Sequence, residues 1–161
     1  MKFHFIFSMI FLANILFGYG QQVPVIKIDQ LQNILSKNND TLYVVNFWAT
    51  WCAPCVEELP HFEQINKEFS AKKVKVILVS MDFKGKLESK LIPFVNKNKI
   101  KSTVVLLDEP NYNAWIDKIN PNWSGAIPAT VLSKPNKGIK EFYEQQLDYQ
   151  TLKNLIEKAN L

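Results

Sequence analysis

The chain opens on an apolar run from Phe5 to Phe17, interrupted only by Ser8 and Asn14 and followed by the small-x-small triplet Gly18-Tyr19-Gly20. With Lys2 ahead of it, this is the layout of a secretory signal peptide cleaved after Gly20. The run falls short of the ~20 residues that span a bilayer, so an uncleaved membrane anchor is the alternative it leaves open. Gln21 to Pro24 reads as a linker. Val25 to Ile28 then alternates as a short strand, and Asp29 is placed to cap a helix through about Ser36. Leu42 to Trp48 is an apolar, β-rich run behind the turn cluster Asn38-Asn39-Asp40, the pattern of a buried central strand.

Apolar residues then recur at helical spacing from about Pro54 to Phe69, at Val56, Leu59, Phe62, Ile65 and Phe69. Val74 to Ser80 predicts a strand, Lys86 to Asn98 a helix, Thr103 to Leu107 a strand and Asn111 to Ile119 a short helix. Ala129 to Ser133 and Ile139 to Glu144 flank the turn Pro135-Asn136-Lys137-Gly138, which predicts an antiparallel hairpin. Asp148 is expected to cap a last helix whose Leu152, Leu155, Ile156 and Ala159 form one apolar stripe. Strands and helices in alternation, closed by a hairpin and a helix, predict an α/β fold: a mixed central sheet flanked by helices. At 161 residues this is one domain, residues 21–161, behind the signal segment 1–20.

Composition narrows the function classes. The 47% apolar and 21% charged content is ordinary for a globular fold. All 19 basic residues are lysines, so planar, bidentate capture of phosphate or carboxylate by arginine is excluded. The lysines are spread among 15 acids rather than gathered on one basic face, which argues against nucleic acid as a partner. Two cysteines are too few for a disulfide scaffold, since exported domains stapled that way carry four or more.

Those two cysteines lie in Trp51-Cys52-Ala53-Pro54-Cys55, where the buried strand runs into the helix. Residues three apart on a helix have Cβ atoms ~5–6 Å apart, and a small adjustment of the first turn brings them to bonding distance. A four-residue ring stabilises by only ~2 kcal/mol, against ~4.7 kcal/mol for a hundred-residue loop. The spacing therefore points to chemistry. Pro54 suits the first helical turn, where its missing N–H costs nothing, and it places Cys52 at the helix start against the unpaired N–H groups. The dipole there, worth up to ~2 kcal/mol, lowers the thiol's pKa and favours thiolate. Cys52 is the expected attacking thiol, and Cys55, one turn inside, the resolving one. Half of a zinc site would need two further ligands, and past the signal segment the chain offers no third cysteine and one histidine, His61. No metal and no cofactor beyond the Cys52–Cys55 pair is expected. Trp48 is expected in the core, Trp51 exposed beside the nucleophile, and His61 on the surface.

Val45-Asn46-Phe47-Trp48 followed by Trp51-Cys52-Ala53-Pro54-Cys55 resembles the active-site segment of thioredoxin-fold thiol:disulfide oxidoreductases, and Glu57-Glu58-Leu59-Pro60 is most similar to the exported branch typified by TlpA and ResA. The resemblance covers residues from about 40 to the end and implies a thioredoxin fold with an extra β/α insertion, here between Lys86 and Ile119, ahead of a cis-proline loop. Ile127-Pro128-Ala129-Thr130 stands at that loop, so Ile127 and Pro128, with Trp51, are the implied substrate-binding residues. Glu58 is implied to handle a proton near the buried thiol; a helix-start acid facing the dipole is the plainer reading, and the one given to Glu57. Asn46 takes the place of the buried Asp of plain thioredoxins. Pro60 is expected to bend the helix. Trp123, in the unusual segment Asn120 to Ala126, either lines the groove or packs in the core.

The implied activity is extracytoplasmic or periplasmic reduction of disulfides in cysteine-containing proteins, apocytochromes c of cytochrome c biogenesis among them, by a monomer that a membrane thiol donor re-reduces. Two alternatives stand beside it. A thiol peroxidase also uses an activated cysteine near a helix start but relies on an arginine, which this chain lacks. A copper-carrying chaperone of similar topology spaces its cysteines differently and adds a distant histidine.

Overall fold

The computed structural model describes residues 21–160; the expected signal segment lies outside them. In chain order the elements are β1 (Val25–Ile26), α1 (Ile28–Leu35), β2 (Leu42–Trp48), α2 (Ala53–Phe69), β3 (Val74–Ser80), α3 (Ile92–Lys97), β4 (Thr103–Leu107), α4 (Ile116–Ile119), β5 (Ala129–Lys134), β6 (Ile139–Tyr143) and α5 (Tyr149–Asn160). The strands form one mixed sheet in the order β1-β4-β3-β2-β5-β6. β1, β4, β3 and β2 run parallel, and β5 and β6 join antiparallel on the far side.

All seven residues of β2 are buried, as its apolar run, broken only by Asn46, suits a central strand covered on both faces. Alternation along β2 assigns the two layers. Asn46 and Trp48 face α2 and α3, through Glu58 and Phe94. Tyr43 and Phe47 face the other way, where Ser133, the register partner of Tyr43, donates its hydroxyl to the Leu35 carbonyl of α1 at 2.6 Å. On that face Phe47, Trp115, Trp123 and Phe142 form one aromatic cluster with ring centroids 4.7–6.4 Å apart.

Several expectations are corrected. Gln21 to Pro24 is no free linker: the Gln21 amide donates to the Ser102 carbonyl, Val23 is buried, and the Pro24 carbonyl accepts from Leu106 N–H. The cap of α1 falls at Lys27 rather than Asp29, because the Gln30 side chain accepts from Lys27 N–H at 2.9 Å and Glu109 accepts from Ile28 N–H at 3.1 Å. The helix expected over Lys86 to Asn98 is broken into a 3-10 turn, a π turn at Leu87–Leu91 and the short α3. Pro93 explains the break. It has no N–H for the Ser89 carbonyl and its ring crowds that turn, so Ile92 N–H reaches back five residues to Leu87 instead. The segment Asn111 to Ile119 is likewise split at Trp115, whose φ of −143° leaves the helical region. The hairpin forms as expected, with Gly138 at φ +66°, a conformation that a Cβ disfavours. Asp148 caps α5 through Thr151 N–H at 2.7 Å. No helix among the described residues is long and apolar enough to cross a membrane.

Candidate active site

β2 delivers the cysteines. Past Trp48 the chain turns through Ala49 to Cys52, closed by the Cys52 N–H to the Ala49 carbonyl at 3.1 Å, and α2 begins. Cys52 is its N-cap residue, with extended backbone (φ −92°, ψ 102°), and its sulfur accepts from Cys55 N–H at 3.4 Å. Pro54 falls in the first turn, among the amides that have no intrahelical partner. The two sulfurs are bonded, at 2.03 Å, with Cα atoms 5.3 Å apart. Cys52 retains 7% exposure, Cys55 none, and the adjoining Trp51 is 63% exposed. Chain geometry thus separates the sulfur a partner can reach from the one it cannot. Trp48 is fully buried against Phe94, as expected.

A second loop meets the cysteines across the sheet. The Ile127–Pro128 peptide is cis, and the Ile127 carbonyl oxygen lies 3.8 Å from Cys52 Sγ. Pro128 immediately precedes β5, where no ladder donor is needed from it. The aromatic cluster supports the loop from below: Trp123 is 3% exposed, packs at a tilt against Phe47 with ring centroids 4.7 Å apart and donates its indole N–H to the Ala126 carbonyl at 2.8 Å. Trp123 is therefore a packing residue and does not line the groove. Glu144 tethers the same loop by accepting from the N–H groups of Ser124 (3.1 Å) and Ala126 (3.2 Å).

Beneath Cys55, one helical turn further along α2, lies Glu58, fully buried. Asn46 Nδ2 donates to Glu58 Oε1 at 2.7 Å and Leu147 N–H donates to Oε2 at 2.8 Å. Burial pushes this carboxyl up to about 7, the two hydrogen bonds offsetting only part of the desolvation. Asn46 Nδ2 also reaches Thr130 Oγ1 at 3.2 Å, while Asn46 Oδ1 has no partner. A half-turn of that amide presents Oδ1 to Glu58, so one side chain can serve both the ionised and the protonated carboxyl. Glu58 is neither exposed nor in the first turn of α2, and Glu57, expected to face the helix dipole, also falls in the second turn because α2 starts at Ala53. His61, expected on the surface, is half-buried. α2 runs unbroken through Pro60.

Two features escape sequence reading. Asp82, 4% exposed, accepts from Thr50 N–H (3.0 Å), the Thr50 hydroxyl (2.6 Å) and the Ser80 hydroxyl (2.8 Å), latching the cysteine loop to the end of β3. Its only linear signal is an acid placed two residues past a buried strand. Phe83, 69% exposed, stands three residues beyond Ser80 as Trp51 stands three beyond Trp48, and Trp48 and Ser80 are register partners. Two large aromatic side chains are thus exposed on the loops that follow adjacent strand ends.

The AhpC/TSA family model matches residues 19–144. The thioredoxin-like protein YneN of Bacillus subtilis (strain 168) is 33% identical over 98 residues, 59% of this chain and only 56% of that protein. The thiol-disulfide oxidoreductase ResA of Oceanobacillus iheyensis is 25% identical over 150 residues, 89% of this chain and 73% of that protein. In fold, the chain is similar to the thiol:disulfide interchange protein of the thioredoxin family from Chlorobium tepidum, with a TM-score of 0.64 and 17% identity over 76% of this chain and 81% of the other.

Proposed function

This chain belongs to the AhpC/TSA family, and on that footing we propose that it is an extracytoplasmic thiol:disulfide oxidoreductase that reduces disulfides in protein substrates. The observation that carries this reading is the bonded Cys52–Cys55 pair at the start of α2, its outer sulfur against the Ile127 carbonyl of the cis-proline loop. Relatives named thiol-disulfide oxidoreductase support it, and so does the apolar N-terminal run for the compartment.

In the reduced protein, Cys52 thiolate attacks one sulfur of the substrate disulfide. A Cys52–substrate bond forms, and the substrate's other sulfur leaves as thiolate and takes a proton from solvent. Cys55 then loses its proton, attacks Cys52 Sγ and releases the second substrate thiolate, so two electrons pass to the substrate and the Cys52–Cys55 bond re-forms. Glu58 is the group placed to receive the Cys55 proton: it lies one turn along the same helix and its pKa of about 7 lets it hold or yield a proton at working pH. A dithiol donor on the membrane side restores the pair. The Ile127 and Pro128 backbone beside Cys52, with Trp51, receives the substrate strand. Apocytochromes c are among the cysteine-containing substrates that the resemblance to the TlpA and ResA branch favours.

The purified protein is expected to reduce insulin with dithiothreitol as electron donor, and no acceleration over dithiothreitol alone would reject the reading. A thiol peroxidase would have to work without arginine, and rapid, stoichiometric consumption of hydroperoxide would revive it. Phe83 adds a test of the substrate class. Covering part of an exposed phenylalanine is worth ~1 kcal/mol, so Phe83→Ser is expected to lower kcat/KM for insulin about fivefold. The same variant should leave the rate with 2-hydroxyethyl disulfide, too small to reach Phe83, within about twofold.

A further inference from the structure

Asp82 is a buried carboxylate that the exchange chemistry does not use. Its partners suit the ionised form: all three can donate to it, Thr50 N–H and the Ser80 hydroxyl at Oδ2 and the Thr50 hydroxyl at Oδ1. Thr50 N–H can only donate, and the Ser80 hydroxyl, whose oxygen accepts from Asp82 N–H at 3.1 Å, gives its proton to the carboxylate at 2.8 Å. No ion pair to Asp82 is found among the described residues. The lysines at this end of the sheet, Lys84 and Lys27, are both drawn 3.1 Å from Asp108, and Glu109 is a further acid there. The negative charge is thus held by neutral donors alone.

It is held close to the nucleophile. Thr50 is bonded to it directly, and Cys52 follows two residues later inside the turn that the Cys52 N–H to Ala49 carbonyl bond closes. With ~3.8 Å between successive Cα atoms, the carboxylate lies within roughly 10 Å of Cys52. Cys52 is 7% exposed and Asp82 4%, so little water screens the intervening space.

We propose that Asp82 is a positioning residue that also sets the redox balance of the pair: its fixed charge disfavours the Cys52 thiolate, and so makes the reduced protein a stronger reductant. This deepens the proposed function and rests on it. Reduction breaks the Cys52–Cys55 bond and takes two electrons from a donor dithiol. With one proton taken up, the products are Cys52 thiolate and Cys55 thiol. A neighbouring anion raises the free energy of that thiolate and leaves the neutral disulfide untouched, so the equilibrium moves toward the oxidised pair and the electrons are passed on more readily. The helix start at Cys52 pulls the other way, and Asp82 opposes it.

The decisive variant is Asp82→Asn, which keeps the shape and an oxygen for Thr50 N–H while removing the charge. At roughly 10 Å and an effective dielectric constant near 20, one unit charge changes the thiolate population by about tenfold. Asp82→Asn is therefore expected to lower the Cys52 pKa, read from thiolate absorbance, by about one unit. Measured above that pKa in both proteins, equilibration with glutathione buffers should shift about tenfold toward the reduced pair, or about 30 mV. Thr50→Val, which removes a clamp hydrogen bond and keeps the charge, is the control and is expected to leave both readouts within about twofold.

Unchanged values in Asp82→Asn would overturn the proposal, and equal shifts in both variants would reduce Asp82 to a structural clamp and overturn it too. Neither readout needs a protein substrate. A protein that fails to reduce insulin would count against the proposed function, while the thiolate and glutathione measurements would still decide the role of Asp82.

Discussion

Cys52→Ser is expected to bring insulin reduction down to the rate of dithiothreitol alone, whereas Cys55→Ser keeps the first step and stalls at the second. The asymmetry follows from access. Cys52 sits at the start of α2 with its sulfur against the Ile127 carbonyl and some surface in contact with solvent, while Cys55 is wholly enclosed. A serine hydroxyl at position 52 stays protonated at neutral pH, helix dipole or not, and cannot open a disulfide. With serine at position 55, Cys52 still attacks, but the mixed disulfide has no intramolecular thiol to release it. Non-reducing electrophoresis and intact mass should show Cys55→Ser accumulating one substrate chain per molecule, and Cys52→Ser none. Adducts forming equally well on Cys55 in the Cys52→Ser protein would mean that the roles are reversed.

The second large effect concerns Glu58 and stability against pH. Its folded pKa is about 7 against 4.5 for the free side chain, so between those values the folded protein binds more protons than the unfolded chain. Stability must then fall as pH rises through that window and level off above it, because at higher pH the fold carries an ionised carboxylate that burial disfavours. A displacement of that size is worth about 3 kcal/mol. Glu58→Gln removes the titration. Its amide can donate to Asn46 Oδ1, the buried acceptor that has no partner in the wild type, while its oxygen still accepts from Leu147 N–H. Urea unfolding of the oxidised proteins at pH 5 and pH 8 is therefore expected to show the variant gaining about 2.5 kcal/mol on the wild type between the two values. A constant difference across that range would show that Glu58 does not titrate there, and would remove its proton-handling role.

Several elements were legible in the linear pattern because local rules decide them. β2, β3 and β4 have the bounds their apolar runs predict, since a strand covered on both faces is apolar at nearly every position. Cys52, Pro54 and Cys55 predicted the start of α2, because capping and the missing proline N–H act within one turn. The broken helix over Lys86 to Asn98 shows where apolar periodicity misleads: Pro93 was in plain view, but spacing alone does not say which way the backbone yields. Trp123 was equally compatible with groove and core until Phe47, 76 positions earlier, was found against it.

What the sequence determined by itself, then, is the dithiol, its place between a buried strand and a helix, and the order of the elements. All of these are set by interactions within a few residues. Only the tertiary structure decided the surroundings of the two sulfurs. Leu147 reaches Glu58 across 89 positions, Ile127 reaches Cys52 across 75, and Asp82 reaches Thr50 across 32. Desolvation, carboxylate placement and the facing loop depend on distances in space, and those exist only once β2 is seated between β3 and β5.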